Sequence, residues 1–229
     1  MVRTRPRQPP PATLVHRGPK WTDRWKRICR GERSGEWATS AAKKALREAL
    51  SRLTYGKCAF CESTLGVTTG LEIEHYVSKT IEPDRAFEWT NLLPACHECN
   101  VAKGARDHQS LLLKPDSEDP ASYFWLNVAS GDLEPHPRLD EGKKRRAEET
   151  IRLLNLRRGP LCVKRFNTMQ DALTWLAQVQ AGLTPPLRRK WNDFADPHTE
   201  YKFVIRWVLE MNGAAALAAE DRRRYEGQG

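Results

Sequence analysis

The chain has 229 residues, 29% of them charged and 39% hydrophobic, and a formal net charge of +9. That length suits one sizeable domain or two small ones, and no apolar run approaches the roughly 18 residues that cross a bilayer, which speaks against a membrane partner. The positive excess favours polyanions, nucleic acid first, with DNA placed ahead of RNA.

Residues 1–19 hold Arg3, Arg5 and Arg7 among several prolines and read as a flexible basic arm. The arm lacks the apolar stretch of a secretory signal, and its prolines break an amphipathic transit helix, so a cytoplasmic location is expected. Residues 20–56 form an expected N-terminal helical region. Trp21, Trp25 and Ile28 recur at i, i+4 and i+7, and Gly31 and Gly35 punctuate the stretch that follows. Residues 37–53 then carry Ala38, Ala42, Ala45, Leu46, Ala49, Leu50 and Leu53 on one helical face, with Lys43, Lys44, Arg47 and Glu48 off it. Gly56 is a stop signal.

Residues 57–110 form the expected core. Leu71, Ile73 and His75 alternate with Glu72 and Glu74, which is strand periodicity. Residues 79–87 contain Pro83 and read as a loop, residues 88–93 as a second strand, and a short helix is expected near Asn100. Residues 111–212 make a hairpin and a helical C-terminal region. Tyr123–Val128 and Leu133 flank a Ser130-Gly131 turn. Helical patterning runs over 140–156 through Ala147, Ile151 and Leu154, then over 161–181 through Phe166, Met169, Leu173 and Leu176. It returns over 200–211 through Tyr201, Val204, Ile205, Val208 and Leu209. Residues 213–229 read as a charged tail, frayed from Arg222.

Chemistry concentrates in the core. Cys58-x-x-Cys61 and Cys96-x-x-Cys99 are two pairs of the kind that close a four-thiolate structural zinc site. Cys29 and Cys162 belong to no motif, and leftover thiols beside such spacing suit a reducing compartment. His97 lies within the second pair and is read as a bystander, since four thiolates fill the shell. Between and just after the pairs stand Glu74, His75, Asn91 and Asn100, a carboxylate, an imidazole and two carboxamides suited to metal-assisted phosphodiester hydrolysis. In that reading Glu74 and the Asn100 carbonyl hold a hard divalent cation. His75 takes a proton from the attacking water, Asn91 orients His75 or its loop, and Lys79 and Lys103 meet phosphate.

The stretch from Cys58 to Gly104 resembles the HNH, or ββα-metal, endonuclease family through Cys58-x-x-Cys61, Glu74-His75, Asn91-Leu92 and Cys96-x-x-Cys99-Asn100-x-x-Lys103-Gly104. The resemblance implies an α+β fold: a zinc-stapled ββα-metal core embedded in a mostly helical domain. It implies His75 as general base, Glu74 and Asn100 on the catalytic cation, and Asn91 as the residue that orients the base. Many members carry Asp where Glu74 stands. Asn rather than His at position 100 points to Mg²⁺ or Mn²⁺ rather than a catalytic zinc.

A narrower resemblance, to the HNH subunits of Septu and retron-associated anti-phage systems (PtuB-like), rests on four stretches: Cys58-Ala59-Phe60-Cys61-Glu62, Ile73 to Lys79, Trp89 to Leu92, and Glu149 to Leu156. That family usually has Pro where Ser78 sits. Its members act with an ATPase, which implies that nucleotide sensing lies elsewhere; this chain has no Gly-rich phosphate loop followed by Lys-Ser or Lys-Thr. The helical C-terminal region is then the expected docking surface. Two other readings stay open: a stand-alone restriction-type HNH nuclease, and a non-catalytic zinc module that binds nucleic acid or protein.

Overall fold

A computed structural model describes residues 7–66, 70–106, 110–180 and 182–226. Arg3 and Arg5 of the expected arm lie outside the described residues.

Helix α1, Ala12–Cys29, begins inside the segment expected to be an arm. Its inward stripe is Leu14, Gly18, Trp21 and Trp25, so the tryptophan periodicity extends a further two turns upstream than the sequence suggested. Pro19 forfeits one helical hydrogen bond, a local cost that packing offsets. Arg7 is tied down as well. Its guanidinium donates to Trp89 O (2.6 Å) and Leu92 O (3.1 Å) and pairs with Asp116 (2.6 Å). The arm's third arginine is therefore a strut. Helix α2, Ser40–Leu53, is capped by the Thr39 side chain, which accepts from Ala42 N, and buries Ala42, Leu46, Leu50 and Leu53.

Strand β1, Glu72–His75, pairs antiparallel with β2, Leu92–Ala95, in the register Glu72 to Ala95 and His75 to Leu92. The second strand thus lies later than the expected 88–93, and residues 89–91 form a 3-10 turn instead. Pro94 obscured it in the sequence. A two-stranded ladder tolerates a residue without an N–H, and Pro94 O still accepts from Ala59 N at 2.9 Å. Helix α3, His97–Lys103, follows at once and completes a ββα unit against which α2 packs.

The expected hairpin is present as β3, Phe124–Leu126, and β4, Leu133–Pro135. Its turn presses on the helix α5, Gly159–Gln180: Gly131 has φ +73, and a Cβ there would stand 2.3 Å from Cys162 O. Helix α4, Glu141–Leu153, is capped by Asp140. Helices α6, Pro185–Ala195, α7, Lys202–Met211, and α8, Ala215–Glu226, complete the C-terminal region. The sequence reading passed over α6, though Leu187, Trp191, Phe194 and Ala195 share a face and Trp191 stacks on Trp175 at 5.5 Å. It also took α8 for a frayed tail. Asp221 of α8 is fully buried, accepting from Lys202 and, at 2.5 Å, from Arg206. The described residues thus form an α+β fold with two small antiparallel sheets and a dominant helical complement. None of the described helices is long and apolar enough to cross a membrane.

Candidate metal centre and catalytic cleft

Two short segments, far apart in the chain, deliver the four cysteines. The first is a tight knuckle: Glu62 N donates to Cys58 O, Cys58 N to Ser63 O, and Lys57 bridges Thr64. The second is the first turn of α3. The Ala59 N to Pro94 O bond aligns them, and Cys58, Cys61, Cys96 and Cys99 are buried with every Sγ within 4.8 Å of the others. Cys61 Sγ and Cys96 Sγ stand 3.7 Å apart. A tetrahedral zinc with bonds of about 2.3 Å needs sulfur edges near 3.8 Å, so the donor set and spacing fit a closed structural zinc.

Arg158, just before α5, adds something the sequence did not signal. Its Nη2 lies 3.6 Å from Cys99 Sγ and 3.8 Å from Cys96 Sγ, while Nη1 donates to Leu154 O and Asn155 O. Burial works to lower the Arg158 pKa, but the cluster's thiolates raise it overall. Such a contact holds metal-ligating sulfurs in place and spreads their charge.

The knuckle is also bound to the C-terminal helices. Lys57 Nζ donates to Pro197 O (2.6 Å) and Thr199 O (3.0 Å), and Thr64 N to Glu200 Oε1 (2.5 Å). Ser63 Oγ meets Tyr201 OH (3.0 Å), and Glu62 accepts from Phe203 N (3.2 Å). Residues 57–64 and 197–203 are therefore one structural unit.

Beside the cysteine cluster, Ile73, Glu74, His75, Ser78, Lys79, Asn100, Lys103, Gly104 and Ala105 line one open cleft. The strand ends at His75, so Glu74 and His75 border the same cleft although neighbouring strand residues ordinarily face opposite ways. His75 Nε2 lies 3.0 Å from Ala86 O. A carbonyl can only accept, so Nε2 carries the proton and Nδ1 is left with its lone pair. The ring stands edge-to-face on Trp37 at 4.8 Å. Burial, with nearby Lys79 adding to it, pulls His75 down to about 3, which makes the imidazole neutral at physiological pH.

Glu74 Oε1 pairs with Lys103 Nζ at 2.6 Å, and both side chains are almost fully enclosed. Burial pushes the Glu74 carboxyl up to about 7 against the opposing pull of Lys103. Lys103 also donates to His75 O at 2.8 Å. The sequence reading placed Lys103 at a phosphate; here its ammonium is a buried brace that joins α3 to β1. Lys79 is half-buried at the rim, 5.8 Å above the Trp37 ring, with its carbonyl accepting from Trp25 Nε1.

The side-chain hydrogen bonds of Asn91 go to main chain and not to the His75 ring. The residue is fully buried, accepts from Val77 N (2.7 Å) and donates to Val77 O (3.0 Å) and Arg85 O (2.9 Å). It thereby clamps the loop that carries Ala86, whose carbonyl fixes the imidazole. Asn100 opens on the cleft and donates from Nδ2 to Glu72 Oε2. Exposed His97 bonds the other oxygen of Glu72 at 2.9 Å and takes no part in the cysteine cluster. Glu72 was passed over in sequence, although the period-2 pattern that singled out Glu74 puts Glu72 on the same strand face. Trp37 and Arg158 had no such signal, because nothing local marks a residue that arrives from another element.

No family model matches the chain. Curated proteins similar to it include Septu protein PtuB of Bacillus thuringiensis, 31% identical over 190 residues that cover 74% of this chain and 70% of that protein. Septu protein PtuB of Bacillus mycoides (strain KBAB4) is 27% identical over 200 residues, covering 73% of this chain and 66% of that protein.

Proposed function

The chain belongs to the Septu PtuB family, and from that premise we propose that it is a metal-dependent HNH endonuclease, the nuclease component of an anti-phage defence complex. The observation that carries the proposal is the convergence on one cleft of the Glu74 carboxylate, the His75 imidazole and the Asn100 carboxamide. The donor set fits a hard divalent cation: with Oε1 of Glu74 on Lys103 and Nδ2 of Asn100 on Glu72, one carboxylate oxygen and one amide oxygen are left for it. Mg²⁺ or Mn²⁺ bound there would polarise the scissile phosphate and neutralise the charge that develops on it. His75 accepts the proton of the attacking water at Nδ1, and Ala86 O and Trp37 hold the ring in the orientation that allows this. Lys103 opposes the burial that favours protonated Glu74, and Lys79 at the rim supplies positive charge for a phosphate. Asn91 acts at one remove, through its loop.

The substrate proposed is nucleic acid, DNA ahead of RNA, in keeping with the +9 charge. The partner proposed is an ATPase, docked on the helical C-terminal region. Residues 197–203 cannot be that surface's separable part, because they hold the zinc knuckle. Outward positions such as Val163 of α5 and Met211 of α7, both large, apolar and exposed, suit contact better.

The test is His75→Ala, assayed on plasmid and on RNA with Mg²⁺ or Mn²⁺ and with the co-expressed neighbouring ATPase. Loss of a positioned base costs about 10²–10⁴-fold in rate, with zinc content and melting behaviour unchanged. Wild-type cleavage by this variant would remove His75 from the mechanism, and no cleavage by the wild-type protein under any of these conditions would leave a zinc-stabilised binding module as the better account. Full activity and a monomeric state without the ATPase would favour a stand-alone nuclease.

A further inference from the structure

Glu72 and Glu74 are two residues apart on β1 and share one face of it, and α3 lies across that face. Glu74 takes Lys103. Glu72 takes two residues at once, Oε1 to His97 Nδ1 at 2.9 Å and Oε2 to Asn100 Nδ2. The acidic pair therefore grips α3 at positions 97, 100 and 103, the i, i+3, i+6 row that faces the strand. Opposite Glu72 in the ladder stands Ala95, whose small side chain leaves the carboxylate free to lean towards the helix.

A carboxamide has two ends of similar shape and opposite character. Left to itself, the half-buried Asn100 presents either its oxygen or its nitrogen to the cleft. An ionised carboxylate only accepts hydrogen bonds, so Glu72 holds the nitrogen on its own side and leaves Oδ1 for the cleft. We propose that Glu72 is a positioning residue for Asn100, setting the amide so that its carbonyl oxygen is the atom offered to the divalent cation. The proposal rests on the reading of Glu74, His75 and Asn100 as a metal-nuclease site. Groups that hold a metal ligand by hydrogen bonding typically account for about 10–100-fold in metal affinity.

Two conservative variants together separate positioning from mere negative charge. Glu72→Gln keeps the reach but loses the charge and is itself a carboxamide, able to turn either a donor or an acceptor to Asn100. Glu72→Asp keeps the charge but falls one methylene short of spanning His97 and Asn100. Mn²⁺ binding to the purified full chain, followed by the loss of the free-ion EPR signal, is the measurement, with zinc content and thermal unfolding as controls for folding. Positioning predicts that Glu72→Gln and Glu72→Asp are both weakened by about tenfold or more, whereas a mere charge contribution predicts that Glu72→Asp binds Mn²⁺ as wild type does. Asn100→Ala should be weakened to a similar degree, and adding Glu72→Asp to it should weaken binding no further.

Glu72→Asp intact beside a weak Glu72→Gln would make Glu72 a ligand or a charge contributor and overturn the proposal. So would wild-type binding by both variants alongside weak binding by Asn100→Ala, an outcome that leaves the reading of the site standing. If Asn100→Ala itself binds Mn²⁺ normally, the metal site is elsewhere and both fall together.

Discussion

Replacing Asn91 by alanine strips three hydrogen bonds from a fully buried side chain. The groups stranded are Val77 N–H, Val77 C=O and Arg85 C=O, which Asn91 now engages at 2.7, 3.0 and 2.9 Å. A buried main-chain group left without a partner costs about 1–3 kcal/mol. The three together come to about 3 kcal/mol at the least, even with a water entering the vacated space. Against the roughly 5–15 kcal/mol that holds a typical domain together, that is a large share. The consequence for the site follows from the loop between residues 77 and 91. Once it loosens, Ala86 O no longer fixes His75 Nε2, and cleavage should fall along with stability. Asn91→Asp is the sharper variant. One carboxylate oxygen still accepts from Val77 N–H, but the other faces two carbonyls with no proton to offer, so the near-isostere should do no better than alanine. Urea unfolding at fixed zinc, followed by tryptophan fluorescence, measures both variants. Asn91→Ala within about 1 kcal/mol of wild type, or Asn91→Asp as stable as wild type, would refute the clamp.

Arg158→Met should weaken zinc binding by about 10–100-fold, read by competition with a chromophoric chelator, because its guanidinium supports Cys96 and Cys99; unchanged affinity would remove it from the site. Stripping the zinc should raise hydrogen exchange in residues 197–203 as well as in the knuckle, since Lys57, Ser63 and Thr64 bind that segment; protection retained there would show the two to be independent. Glu74 sets a pH dependence in protein free of divalent catalytic ion. Burial raises its carboxyl from 4.5 to about 7, so the folded state keeps a proton that the unfolded state has already lost. Stability from this group therefore falls as pH rises from about 4.5 through 7, by up to about 3 kcal/mol, and Glu74→Gln should flatten that slope in denaturant titrations.

Much of the site was legible because it is written in short-range code. Paired cysteines at fixed spacing announce a cluster able to hold a metal, and strand alternation marks the strand that carries Glu74 and His75 without reference to anything distant. The helix of residues 40–53 and the hairpin turn at Ser130-Gly131 are likewise local events of periodicity and turn chemistry. What the sequence could not show depends on which surfaces meet. Pro19 and Pro94 argued locally against a helix and a strand that packing against the core makes favourable. Alanine-rich α8 looked like a tail until its Asp221 found Lys202 and Arg206 in the interior. The same holds within the site. Lys103 carries a charge that reads as surface until burial opposite Glu74 makes it a brace, and of the two partners open to Asn91 in the sequence, the ring or its loop, its side-chain hydrogen bonds fall on the loop. Residue type sets which chemistry a side chain can perform. Tertiary packing sets its solvent exposure and its partner, and for a lysine or an amide those two quantities decide whether it meets a substrate or holds the protein's own backbone.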